Sequence, residues 1–247
     1  MVFDLFKRKK TCMESEIYEQ SEISQKILDA YLDSNGNINI DVPANISRII
    51  LVASGSSYHC ARYAAELFGS ISKIEASAIY SSEFLLEDTI AHSDNILYIF
   101  ITQSGETTDT NSALEKAKEH GVKTLCITNK ENSTIWNASD YKIACLAGEE
   151  KSIAATKSFV SQLLCSTLLA LKFAQIQGID TYDYTLDLKM IPSFINKAFE
   201  LQPKIKQLAR FLSKYKNVVM TADGQSYALA KEASLKIKET SYINTTS

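Results

Sequence analysis

Two hydroxyl-rich runs hold the residue types best suited to ligand chemistry in this 247-residue chain. Ser54-Gly55-Ser56-Ser57-Tyr58 and Thr102-Gln103-Ser104-Gly105-Glu106-Thr107-Thr108 each combine a glycine with several Ser or Thr hydroxyls. Each follows an apolar run and precedes a helix-compatible one, so each is expected where a helix begins. There the first amides lack internal partners and the helix dipole favours an anion. Glycine lets a ligand approach the backbone, and hydroxyls add donors without the positive charge of a lysine. A phosphate monoester suits that environment. The same residues also serve as plain helix N-caps, and either loop alone is compatible with that role. Neither glycine opens a Gly-x-Gly-x-x-Gly motif, so no dinucleotide site is indicated.

A second grouping is charged. Glu232, Lys236 and Glu239 stand at i, i+4 and i+7, which at about 100° per residue places them in one narrow arc of a helix. They read either as a solvated, salt-bridged stripe, stabilising by roughly 0.2–0.5 kcal/mol per pair, or as a carboxylate tuned by a neighbouring lysine for proton transfer.

The elements that must position these residues are read from hydrophobic pattern. Apolar, β-prone runs recur at Ile49-Ala53, Ile74-Tyr80, Ile96-Ile101, Val122-Ile127 and Tyr141-Leu146. They alternate with helix-compatible stretches at Tyr58-Ser72, Ser82-Thr89, Asp109-His120 and Ser133-Ala138. Strand, helix, strand in repetition implies an α/β fold with a five-stranded parallel sheet flanked by helices, in a flavodoxin-like layering. Ligands of such sheets bind beyond the carboxyl ends of the strands, which places any site in the loops after strands one, three and five, at Ser54, Gln103 and Ser152. Long helices are expected over Ala154-Gln177 and much of Asp183-Leu212.

The segment Gly55-Ser56-Ser57-Tyr58-His59-Cys60-Ala61-Arg62-Tyr63-Ala64 is echoed by Gly224-Gln225-Ser226-Tyr227-Ala228-Leu229-Ala230-Lys231-Glu232-Ala233, each after an apolar strand. The echo implies the start of a second copy of the same fold near Asn217, and too few residues follow to complete it. Its strand, Val218-Thr221, is expected to pair with a partner chain or lie against the first domain.

Bulk properties exclude other classes. Hydrophobic residues at 45% and charged residues at 22% leave no room for a disordered or fibrous chain. A net charge of -3, with one basic stretch at Lys7-Arg8-Lys9-Lys10, argues against nucleic acid as a partner. The amino terminus is too short and too charged for a signal peptide, and Lys172 interrupts the apolar run Leu163-Ala174, so no membrane span is expected. Five widely spaced cysteines read as buried thiols in a reducing, cytoplasmic setting. His59 reads as a packing or surface residue, while His92 and His120 have no ligand partner at a suitable spacing, so neither a metal site nor a cofactor is expected.

Taken together, the two loops and the run Ile153-Ala154-Ala155-Thr156-Lys157-Ser158-Phe159 resemble the signature loops of the sugar isomerase (SIS) domain family, closest to the isomerase half of glucosamine-6-phosphate synthases. Glu16-Ile17-Tyr18-Glu19-Gln20 is similar to that domain's first helix, and Glu232-Ala233-Ser234-Leu235-Lys236-Ile237-Lys238-Glu239-Thr240-Ser241-Tyr242-Ile243 to its catalytic helix. The resemblance divides the chain into a basic tail (1–13), a helical lead-in (14–47), a first SIS domain (48–180), and a helical linker with an incomplete second SIS domain (181–247).

It implies that Thr102, Gln103, Ser104 and Thr107, with Ser57, hold a sugar phosphate, while Ser56 and the backbone near Ile153 contact the sugar chain. It also implies Glu239 as the base that carries a proton between neighbouring sugar carbons, with Lys236 as its supporting cation. The family's ring-opening histidine and Schiff-base lysine are expected beyond residue 247. Val2 stands where a glutaminase would need its nucleophilic cysteine. The ligand implied is a hexose 6-phosphate, and the partners implied are a second copy in a homodimer and a separate glutaminase or other ammonia source. Aminotransferase/isomerase, amino-sugar phosphate deaminase and non-catalytic sugar-phosphate binder all stay open.

Overall fold

The computed structural model describes residues 11–247; the basic stretch at 7–10 lies outside the described residues. Five parallel strands, β1 (Arg48–Ala53), β2 (Glu75–Tyr80), β3 (Ile96–Thr102), β4 (Lys123–Thr128) and β5 (Tyr141–Ala144), form one sheet in the order β2-β1-β3-β4-β5. Each observed strand begins and ends within two residues of the run that predicts it. For the inner strands β1, β3 and β4 the reason is burial from both sides, which demands continuous apolar runs. β3 shows it most fully: Leu97, Ile99 and Ile101 join the core on one face, while Ile96, Tyr98 and Phe100 join that on the other.

Helices α1 (Cys12–Tyr31), α2 (Gly55–Leu67) and α6 (Lys157–Ile176) enclose the first of these cores. Helices α3 (Ser81–Leu86), α4 (Thr108–Glu119) and α5 (Thr134–Ala138) enclose the second. The chain changes face after β2, so the sheet order reverses beside β1 and β3, the position at which open α/β sheets form a ligand crevice. A π-helical turn, Phe68–Ser72, extends α2.

Helix α6 is long and apolar enough to cross a membrane by length and composition alone. Most of it is buried against α1, α2 and the sheet, including Leu164, Leu168, Leu169 and Leu171, which accounts for its apolar character.

Several expectations need correction. Residues 154–156 are not helical, because α6 begins at Lys157. Helix α3 ends at Leu86 rather than Thr89. The helical stretch expected over much of Asp183-Leu212 is present as two helices, α7 (Tyr182–Phe199) and α8 (Gln202–Leu212). Pro203, in the first turn of α8, cannot donate to the Phe199 carbonyl four residues back and its ring crowds that oxygen, so α7 stops there. The strand near Val218 finds its own pairing strand, β6 (Asn217–Val219) lying parallel to β7 (Asn244–Thr246) across helix α9 (Gln225–Ser241), and α9 packs against α2 of the first domain. Of the five cysteines, Cys12 is exposed and the other four are buried.

Candidate functional site

The loops after β1, β3 and β5 converge on one cleft of about 220 Å³ at the carboxyl edge of the sheet. Ser54, Ser56 and Ser57 line it from the first loop, Thr102, Gln103, Ser104 and Thr107 from the second, and Glu150, Ile153 and Ala155 from the third. All seven residues predicted to bind substrate are therefore brought together. Ile153 reaches the cleft with its side chain fully exposed.

The hydroxyls are not consumed as helix caps. Ser54 stands at the N-cap of α2 and Thr107 at that of α4, and neither side chain makes a capping hydrogen bond. Within the second loop, Thr102 Oγ1 lies 3.0 Å from Thr107 Oγ1 and accepts from the Gly105 amide at 3.3 Å. Ser104 Oγ accepts from the Glu106 amide at 3.1 Å. The loop is thus fixed before any ligand arrives. Gly105 makes the turn possible: its φ is +68°, and a Cβ there would stand 2.0 Å from Ser133 Oγ.

The third loop is held by carboxylates. Glu150 accepts from the Thr156 amide (2.8 Å), the Thr156 hydroxyl (2.9 Å), the Ser158 amide (3.3 Å) and the Ser158 hydroxyl. It caps α6 from outside, which is why the helix starts at Lys157. Glu16, buried on α1, accepts from the amides of Lys151 (2.5 Å) and Ser152 (3.3 Å). Buried Lys157, at the start of α6, pairs with Glu19 of α1 at 2.6 Å. The sequence offers little signal for Glu150 or Glu16 as loop anchors, since their partners lie six or more than a hundred residues away.

The charged trio of α9 shares a face as predicted, and it is not a solvated stripe. Glu232 is buried, Lys236 is 20% exposed and Glu239 is 35% exposed in their side chains. The Lys236 ammonium lies 2.6 Å from Glu239 Oε2 and 3.3 Å from Glu232 Oε1, and it donates to Ser56 Oγ at 3.1 Å. Neither Glu239 nor Lys236 is among the residues lining the cleft, and Lys236 reaches it through Ser56. His59 is neither a surface group nor simple packing: it is buried on α2 with Nδ1 2.7 Å from Glu232 Oε2. Burial raises the Glu232 carboxyl's pKa, and the His59 hydrogen bond, the Lys236 charge and the Ser56 hydroxyl outweigh that, holding it below its ordinary value. His120 bonds the Lys116 carbonyl of its own helix at 2.8 Å, and His92 is exposed, so neither reaches the cleft.

A doubly wound parallel sheet with two hydroxyl-rich loops and a third, carboxylate-held loop gathered at its switch point defines an α/β domain with a polar ligand cleft. The chain belongs to the SIS domain family, whose model matches residues 44–172. It is 36% identical over 237 residues to the glutamine--fructose-6-phosphate aminotransferase [isomerizing] of Campylobacter jejuni, covering 94% of this chain and 39% of that protein. The chain therefore spans about two-fifths of the length of the curated relatives it matches. The C-terminal domain of glucosamine-fructose-6-phosphate aminotransferase from Francisella tularensis superposes with a TM-score of 0.91 at 32% identity, over 96% of this chain and 69% of that one. The glucosamine-6-phosphate deaminase of Thermotoga maritima shares the fold, with a TM-score of 0.76 at 23% identity, over 95% of this chain and 69% of that one.

Proposed function

We propose that the cleft binds a hexose 6-phosphate, with fructose 6-phosphate and glucosamine 6-phosphate as the leading candidates, and that α9 supplies proton-transfer chemistry to the bound sugar in amino-sugar metabolism. Thr102, Gln103, Ser104, Thr107 and Ser57 take the phosphate, where hydroxyls, loop amides and the start of α4 offer donors to a dianion. Ser56 and the backbone at Ile153 face the sugar chain. The observation that carries the reading is the Lys236–Ser56 contact, because it ties the acid–base pair of α9 to the rim of the phosphate cleft.

Interconverting a 2-keto sugar and its aldose moves one proton between C1 and C2 through an enediol. Glu239 is the carboxylate in this proposal: it takes the proton from one carbon and returns it to the other, while Lys236 keeps it ionised and oriented. The absence of Glu239 from the cleft lining favours a second reading, in which the unit holds a sugar phosphate without turning it over. In either reading the β6–α9–β7 unit is the start of a second copy of the fold. The fuller assembly is a homodimer in the cytoplasm that draws its ammonia from a glutaminase or another source.

Solvent exchange separates the two readings. With fructose 6-phosphate in deuterated buffer, deuterium should enter at C1 or C2, and Glu239→Gln should lower that rate by roughly 10²–10⁴-fold, the usual worth of a general base. Binding without exchange would leave the second reading; exchange unaffected by Glu239→Gln would remove Glu239 from the mechanism.

A further inference from the structure

Among the described residues, the pair His59–Glu232 is a fully packed ionisable contact next to the site that the proposed chemistry does not use. Both side chains are nearly excluded from solvent, at 9% and 6% exposure, and their 2.7 Å contact joins α2 to α9. Glu232 Oε2 faces His59 while Oε1 lies 3.3 Å from the Lys236 ammonium, an ion-pair contact without hydrogen-bond alignment. Lys236 in turn touches Ser56 at the cleft and Glu239 on its own helix. Five charged or polar groups thus form a line from the interior of α2 to the rim, in the order His59, Glu232, Lys236 and then Ser56 with Glu239.

We propose that His59 is a positioning residue for this site. It donates Nδ1–H to Glu232 and fixes the buried carboxylate in the one orientation that leaves Oε1 facing Lys236. Without the short His59 contact the carboxylate would keep only its longer contacts on the cleft side and could rotate about its last bond, and a lysine on a four-carbon stem has no rigidity of its own. With Glu232 held, the ammonium stays between Ser56 and Glu239. A buried carboxylate that loses a hydrogen-bond donor is left partly unsatisfied, so the effect of losing His59 should pass along the line and not stop at Glu232. This inference rests on the proposed function for its meaning but not for its test.

The test reads the freedom of Lys236 directly. The 247-residue protein is treated with trace acetic anhydride, and modification at Lys236 is measured by peptide mass spectrometry relative to exposed Lys238 on the same helix. His59→Leu and His59→Phe remove the donor, the second keeping ring volume. His59→Asn keeps it, because the asparagine amide nitrogen is attached to Cγ just as Nδ1 is. Leu and Phe should raise the relative rate at Lys236 by about tenfold, the scale of a lost hydrogen bond to a buried charge, and Asn should restore it. Buried Lys157 reports unfolding, so a variant that labels there is set aside and the other donor-free variant decides.

An unchanged rate at Lys236 in a folded donor-free variant would overturn the proposal. So would equal release in His59→Asn. A parallel titration with fructose 6-phosphate should show weaker binding in His59→Phe and no further loss when it is combined with Lys236→Met; additive losses would contradict coupling through Lys236. Failure of the wild-type protein to bind any hexose phosphate would remove the proposed function, and the labelling result would still decide the role of His59.

Discussion

The same local device occurs twice in this chain, in very different surroundings. Gly55 begins α2 at φ +57° and Gly224 caps α9 at φ +51°, each after a strand and each followed by a Ser-Tyr pair two residues on. At the first copy the strand lies inside a five-stranded sheet covered on both faces, and the loop forms one wall of a cleft. At the second copy the strand belongs to a two-stranded sheet, and helix α8 before it has no buried residue. Leu201, Ile205, Leu208 and Phe211 stand about half exposed there. The loop sequence alone does not make a site. It becomes one where neighbouring strands bring second and third loops against it.

The largest expected contrast is in stability. Leu168→Ala, in the core of α6 at 0% exposure, should destabilise the protein by about 2–5 kcal/mol, through lost transfer energy and a cavity. Leu208→Ala on α8 should stay within about 0.5 kcal/mol, as surface substitutions do. Urea denaturation checks both, and similar losses at the two sites would mean that α8 is as well packed as α6.

A smaller contrast separates the glycines. Gly105→Ala must force a methyl group into Ser133, and overpacking of that kind costs about 1–3 kcal/mol. It should also displace the second loop and lower affinity for the phosphate ligand. Gly224→Ala meets no atom within 4 Å, so only its positive φ is strained, at a cost of about 1–2 kcal/mol with no effect on the cleft. Comparing melting temperature with ligand affinity in the two variants separates local strain from damage to the site.

What the sequence discloses follows the same division. The five strands and the gathering of Ser56, Ser57, Gln103 and Ser104 at one edge were legible, because the inner runs buried on two faces are continuous, β-prone runs flank them, and parallel topology fixes which loops meet. The start of α6 was not, since its cap is Glu150 rather than an adjacent residue. Strand β7 was not either: Asn244-Thr245-Thr246 is short and polar, with no pattern to mark it. Periodicity placed Glu232, Lys236 and Glu239 on one face of α9 but carried no information about what covers that face. The burial of Glu232 against His59 is a tertiary fact.

A finer effect concerns pH. The Glu232 carboxyl titrates below its usual value of 4.5 in the folded protein, so it takes up protons less readily there than in the unfolded chain. Its contribution to stability is therefore complete above the unfolded value and is lost as pH falls through the folded one. Melting temperature recorded from pH 6 down to pH 3 should fall less steeply in Glu232→Gln than in the wild-type protein. Identical acid slopes would mean that the carboxylate gains nothing from its neighbours.

The central claim is that the three-loop cleft recognises the phosphate of a sugar, and calorimetric titration tests it most directly. Fructose 6-phosphate should bind the wild-type protein while fructose does not, and Ser104→Ala with Thr107→Val should abolish binding without lowering the melting temperature by more than a few degrees. Binding of equal strength by the folded double variant, or by the unphosphorylated sugar, would contradict the account.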